Sequence, residues 1–208
     1  MSLPPAPSWP ALSFDSHWSR EKAKLLQGVA AELAENDELI DRLNQNLNRV
    51  ESNRYNLEVF LSIAQLCRQN LHMLADISKM EADLSRAHQA ACANQPADAL
   101  AALDEAIETA RKIRSERNQV LKEATAIWYK TWLPRVAEAN GRTFLHELDD
   151  VKDHLPDRTV GMEYLVYREL ILPLGDWVGK IQVARTAYAK AHHLEAREEL
   201  FDWEKVDQ

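Results

Sequence analysis

Turn-forming residues are scarce in this chain. Its 208 residues include five glycines and eight prolines, and four of the prolines fall within the first ten positions. Little is left afterwards to punctuate dense turns, which argues against a many-stranded sandwich and for long helices. Five glycines also cannot build a phosphate-cradling loop, and no GxSxG elbow occurs. Cysteine is scarcer still. Cys67 and Cys92 have no CxxC spacing, which argues against a disulfide scaffold and against a zinc site. Both lie in helical patterns and read as small buried apolar residues, and neither is read as having a histidine beside it for nucleophilic catalysis.

Positive charge is in deficit, with a net charge of -8. That argues against a nucleic-acid module, because neutralising phosphates needs a basic face. The basic cluster "ARKIRSERN" is flanked by Glu108 and Glu116 and reads as a charged helix face. No apolar run approaches the ~18 residues of a membrane span. The opening "MSLPPAPSWPAL" has neither the basic nor the apolar region of a signal peptide. It reads as an extended, proline-rich lead-in over residues 1–14. An "MSL" start is what a vector remnant would give, which would make the chain a fragment of something larger; the compartment stays open.

What is present is helical periodicity. With 46% hydrophobic residues the chain can bury a core as one domain, placed at residues 15–193. From Ser16 to Val50, apolar side chains recur at three- and four-residue spacings, with Asp15 or Ser16 as N-cap and a break or kink expected at "ENDE" near Asn36. A second helix is expected from after Asn53 to about Asn94, with Leu57, Phe60, Ile63, Ala64, Cys67, Leu71, Leu74, Ile77, Leu84 and Ala91 on one side. "NQPAD" supplies the next turn, Asn94 closing one helix and Pro96 opening another. The third helix carries Leu100, Leu103, Ile107, Ala110, Ile113, Val120, Leu121, Ala124, Ile127 and Trp128 and is kinked or stopped by Pro134, and stopped more firmly by Asn140-Gly141. A last helix, "MEYLVYRELILPLGDWVGKIQVARTAYAKAHHL", interrupted at Pro173 and Gly175, carries Leu165, Val166, Leu170, Ile171, Trp177, Ile181, Ala184 and Tyr188 inward. The predicted fold is all-α: an antiparallel bundle of three or four long helices, with a polar connector before the last and a loosely attached tail over 194–208. "NQPADALAALDEAIETA" has the Ala and Leu spacing of half a tetratricopeptide-type repeat, but no second copy follows, so a solenoid is not expected.

The connector "FLHELDDVKDHLPDR" is dense in acids and histidines. Asp149, Asp150 and Asp153 offer hard oxygens and His146 and His154 offer imidazoles, so a divalent cation is one reading. The stretch lacks an EF-hand glycine and HExxH spacing, however. Helix capping and surface pairing with Lys152 and Arg158 is a second reading, and docking on another protein a third. No histidine has a glutamate three residues before it, as a di-metal bundle requires, and His72 and His88 read as buried structural histidines. Asp37-Glu38 and Asp104-Glu105 read as solvated faces. Tyr55, Trp128, Tyr129, Trp132, Tyr164, Tyr167 and Trp177 suggest an aromatic-rich end, by default core and otherwise a stacking or docking surface.

Two segments, "NRYNLEVFLSIAQLCRQNLHML" and "WYKTWLPRVAEANGRTFLHELDDVKDHLPDRTVGMEYLVYRELILPLGDW", together resemble the C-terminal helical region of bacterial proteins similar to glycoside hydrolase family 20, the beta-N-acetylhexosaminidases. The chain has no His-x-Gly-Gly stretch before an Asp-Glu pair and no barrel pattern, so no catalytic residue carries over. The resemblance implies a non-catalytic accessory domain packed on the catalytic domain of a parent chain. His146, Asp149, Asp150, Asp153, His154 and Arg158, with Trp128 and Trp132, would then be the docking surface. The alternative is a freestanding helical scaffold or interaction protein, binding metal at His146–His154. No cofactor, nucleic acid or membrane is expected.

Overall fold

The computed structural model describes residues 2–128, 130, 136–139, 141–145 and 172–196. The elements are α1 (Trp18–Glu21), α2 (Ala23–Leu47), α3 (Arg54–Cys92), α4 (Pro96–Trp128), a hairpin of β1 (Val136–Ala139) and β2 (Arg142–Leu145), and α5 (Leu172–Ala191). The fold is mostly helical, as the periodicity predicts. The antiparallel sense of the first three long helices follows from their side-chain partners. Asp37 of α2 meets Arg68 of α3, and the Leu47 carbonyl at the end of α2 accepts from Arg54 at the start of α3. Along α3 and α4, Asp76 meets Lys112 and Arg86 meets Glu105.

The helix ends follow local chemistry. Asn94 is left-handed (φ 55°), and the Gln95 and Asn94 amides bond back to the Ala90 and Ala91 carbonyls, a Schellman closure. Pro96 then takes the first helical position, where its missing N–H costs nothing. α5 closes in the same way on His193 (φ 56°), with the Leu194 amide bonded to the Ala189 carbonyl. Asn53, also left-handed, turns the chain into α3.

Four expectations change. The first helical stretch breaks at Lys22, between α1 and α2, and runs unbroken through Asn36; local polarity at "ENDE" does not interrupt a helix whose Ile40 and Leu43 are held against Ala64. Asn140-Gly141 ends no helix. α4 has already stopped at Trp128, and Ala139 pairs with Arg142 across a hairpin in which Gly141 has φ 70°. Asn-Gly is a hairpin signature as much as a helix stop, and only pairing partners distinguish the two. The lead-in is not separate from the helical domain. Pro4, Pro7 and Leu12 are buried, and the indole N–H groups of Trp18 and Trp177 donate to the Ser2 carbonyl (2.8 Å) and the Pro4 carbonyl (2.6 Å). The tail is anchored at its start, because the Glu195 carbonyl accepts from Arg185 and Leu194 packs on the core, and its residues 197–208 lie outside the described residues. α5 begins at Leu172, with Pro173 and Gly175 in its first turn, and the earlier part of the expected last helix lies outside the described residues.

The main core joins Leu12, Trp18, the second half of α3 from Met73, the first half of α4 to Ile113, and α5. A second, small cluster of Ile40, Leu43 and Ala64 ties α2 to the start of α3. At 1.5 Å per residue, the 39 residues of α3 span about 58 Å. Only its second half lies in the main core.

Candidate functional site: the outer face of helix α3

α3 carries one row of positions spaced alternately by four and three residues: Asn56, Phe60, Ile63, Cys67, Asn70, Leu74, Ile77, Glu81, Leu84 and His88. This is the a/d spacing of a helix–helix seam, and the tertiary structure divides it in two. Over the second half, Leu74, Ile77 and Leu84 are buried. There the chain's own N-terminal segment and α1 lie on the row. Glu81 accepts hydrogen bonds from the Ser16 hydroxyl and from the Ser19 amide (2.8 Å), while Ser78 shares a bond with the Ser19 hydroxyl (2.9 Å). His88 Nδ1 donates to the Leu12 carbonyl at 3.1 Å. Glu81 thereby caps α1 from a different helix. Burial pushes its carboxyl upward, and the bonds from Ser16, Ser19 and Trp18 outweigh that, so it titrates below the ordinary glutamate value.

Over the first half the same row is open. Phe60 is 60% exposed and Ile63 50% exposed, and Asn56, Cys67 and Asn70 are exposed too. Cys67, read as buried, is therefore exposed, and the side that Phe60 and Ile63 share with Leu74 and Ile77 is covered over only part of its length. Periodicity says which side chains share a face, and it does not say how far along a 39-residue helix the covering segment reaches. Cys92 is likewise exposed. It lies one turn after His88, whose ring nitrogens are both 3.8 Å from its sulfur, so that cysteine does have a histidine beside it. The i, i+4 spacing was the signal. A sulfur equidistant from both nitrogens, one of which serves Leu12, faces no single lone pair and is poorly placed to surrender a proton.

Beside the open row the α3–α4 contact is polar. A cleft of about 720 Å³ is lined by Gln65, Arg68, Gln69 and His72 of α3 and by residues between Lys112 and Glu123 of α4. Arg117 is 3% exposed, and its Nη1 donates to Asn70 Oδ1 (3.2 Å) and Gln69 Oε1 (3.4 Å). Both acceptors are neutral, and burial lowers the guanidinium below its ordinary range. Gln69 Nε2 and Asn118 Nδ2 are buried without a hydrogen-bond partner. This polar stretch replaces the apolar core that Ile113 and Met73 end.

Asp104 is no part of a solvated face. It takes a two-pronged bond from Arg185 (2.7 and 3.1 Å), whose side chain is 6% exposed. His72 and His88 are partly rather than fully buried. Of the expected aromatic cluster, Trp177 joins Trp18 in the core against the N-terminal segment and Tyr55 lies at the start of α3, while Tyr129, Trp132, Tyr164, Tyr167 and the Trp128 side chain lie outside the described residues. Trp9 and Tyr188 meet edge to face at 6.2 Å. The docking surface read from sequence is not brought together here: His146, Asp149, Asp150, Asp153, His154, Arg158 and Trp132 lie outside the described residues, as does Trp128's side chain. Among the described residues, no group of three or more His, Cys, Asp or Glu could hold a metal ion, and no helix is long and apolar enough to cross a membrane. The chain matches no protein-family model, no curated protein and no solved structure.

Proposed function

We propose that this chain is a non-catalytic helical module that works by docking another protein chain along the open half of the α3 row. The observation carrying this reading is the exposure of Phe60 and Ile63 in line with Leu74, Ile77 and Leu84, which the chain covers itself. Large apolar side chains in a line at seam spacing are a helix-docking strip, whereas scattered ones need no explanation. Placing a photoreactive side chain at Phe60 in cells that naturally make the protein should give adducts to a polypeptide. The same group at exposed Glu32 should give none. Absence of adducts at Phe60, or equal yields at both positions, would remove the proposal.

Accessory attachment to a hydrolase barrel is a narrower form of this reading, supported by the segment resemblance alone. A coding region contiguous with this one and large enough for a barrel supports it, and a start codon at Met1 with no coding sequence upstream removes it.

A further inference from the structure

We propose that the open α3 row takes the same row of a second copy, forming an antiparallel two-fold helix pair. The inference rests on the docking reading above and names its partner.

Three observations point to a second copy. The five exposed positions are Asn56, Phe60, Ile63, Cys67 and Asn70, three apolar side chains bracketed by two asparagines, of which Asn70 also accepts from Arg117 of α4. Read from either end, the order of character is the same: polar, apolar, apolar, apolar, polar. A two-fold axis near Ile63 therefore sets the apolar side chains of one copy against those of the other, with asparagine at both ends. An isologous interface requires this self-complementarity, and polar residues at seam positions fix register.

The row is also continuous with a contact already made. Its second half is the face on which this chain's N-terminal segment and α1 are seated, through Ser16, Ser19 and Leu12. The fold thus already uses this face as a docking surface. In an antiparallel pair the copies overlap over their first halves, so the seated segments lie beyond the overlap.

Charge selects among partners. None of the five open positions is an Asp, Glu, Lys, Arg or His, while each chain carries -8. Two such chains repel in general, and an uncharged strip lets them meet without setting like charges opposite each other. A partner chosen by charge would call for complementary charges on the row. Three apolar side chains per copy make a small contact, in the range of weak and transient association.

Sedimentation under reducing conditions, from low micromolar to near-millimolar concentration, tests the proposal. The wild type should move from one chain mass to two. Phe60→Asp with Ile63→Asp should stay at one mass, with unchanged helix content and melting temperature, since both side chains are exposed. A wild type that stays monomeric throughout, or a double variant that dimerises equally, overturns the proposal. In a Cys67→Ser, Cys92→Ser background, Ile63→Cys should form disulfide-linked dimers at least tenfold faster than Val183→Cys, another exposed position. Equal rates overturn it as well. Photoadducts at Phe60 to a different polypeptide, with a monomeric wild type, defeat the second copy and leave the docking reading standing. No adduct and no dimer defeats both.

Discussion

Glu81 shows how much one carboxylate can organise. It sits in α3 yet satisfies the first turn of α1, and its bonds to Ser16 and Ser19 exist only when the N-terminal segment is seated. Its folded pKa is lowered from 4.5. The ionised form is therefore favoured by folding, so its contribution is fully present above pH 4.5 and is lost as pH falls through the lower folded value. Glu81→Gln should cost about 1–3 kcal/mol at pH 7 and should flatten the acid side of a urea-unfolding stability curve measured from pH 7 to pH 3. Asp104 is the second such residue. Asp104→Ala leaves the Arg185 guanidinium buried without its carboxylate and should cost about 2–4 kcal/mol in the same assay. Neither role is legible in the sequence, where both acids sit in ordinary charged helical patterns and their partners are 65 and 81 residues away.

At the scale of elements, the N-terminal segment behaves as a strap. Leu12 is fully buried despite a positive φ of 49°; residues 2 to 18 join α5 through the Trp177 indole and α3 through His88, while the Trp18 indole ties the segment to itself at Ser2. Leu12→Ala should lose about 2–5 kcal/mol by large-to-small truncation and should raise hydrogen exchange in α1 more than in α4. No such change in exchange would mean that the strap and α1 are not coupled. The end of α3 offers the opposite sign. Asn94 pays a left-handed penalty that glycine avoids, so Asn94→Gly should raise the melting temperature, with a gain of up to about 1 kcal/mol by denaturant titration. This closure was legible: "NQPAD" specified both the stop and the restart. The break at Lys22 was not, because nothing in its local sequence outranks the polar "ENDE" that the helix passes through.

The whole molecule is uneven along its length. One half is a full bundle in which α3, α4, α5 and the strap share a core, while the other has a small α2–α3 cluster and a polar α3–α4 contact around Arg117. Buried polar groups such as Gln69 Nε2 and Asn118 Nδ2 cost stability where an apolar pair would add it. Hydrogen exchange should accordingly be fastest in the first third of α3 and the last third of α4, and slowest from Met73 to Ala90. Association of a second copy should protect the α3 end selectively. Protection that is uniform along α3 would contradict this division.

The sequence by itself determined the helical class, the extent of α3, the start of α4 and the turn between them, because spacing, left-handed asparagine and proline at a helix start act locally. It also showed that Phe60, Ile63, Leu74, Ile77 and Leu84 lie along one face. Only the tertiary structure decided which of them are covered. That depends on where an N-terminal segment more than 60 residues away comes to rest, and no local spacing encodes it. The open half of the row, and with it the candidate docking face, follows from that long-range placement.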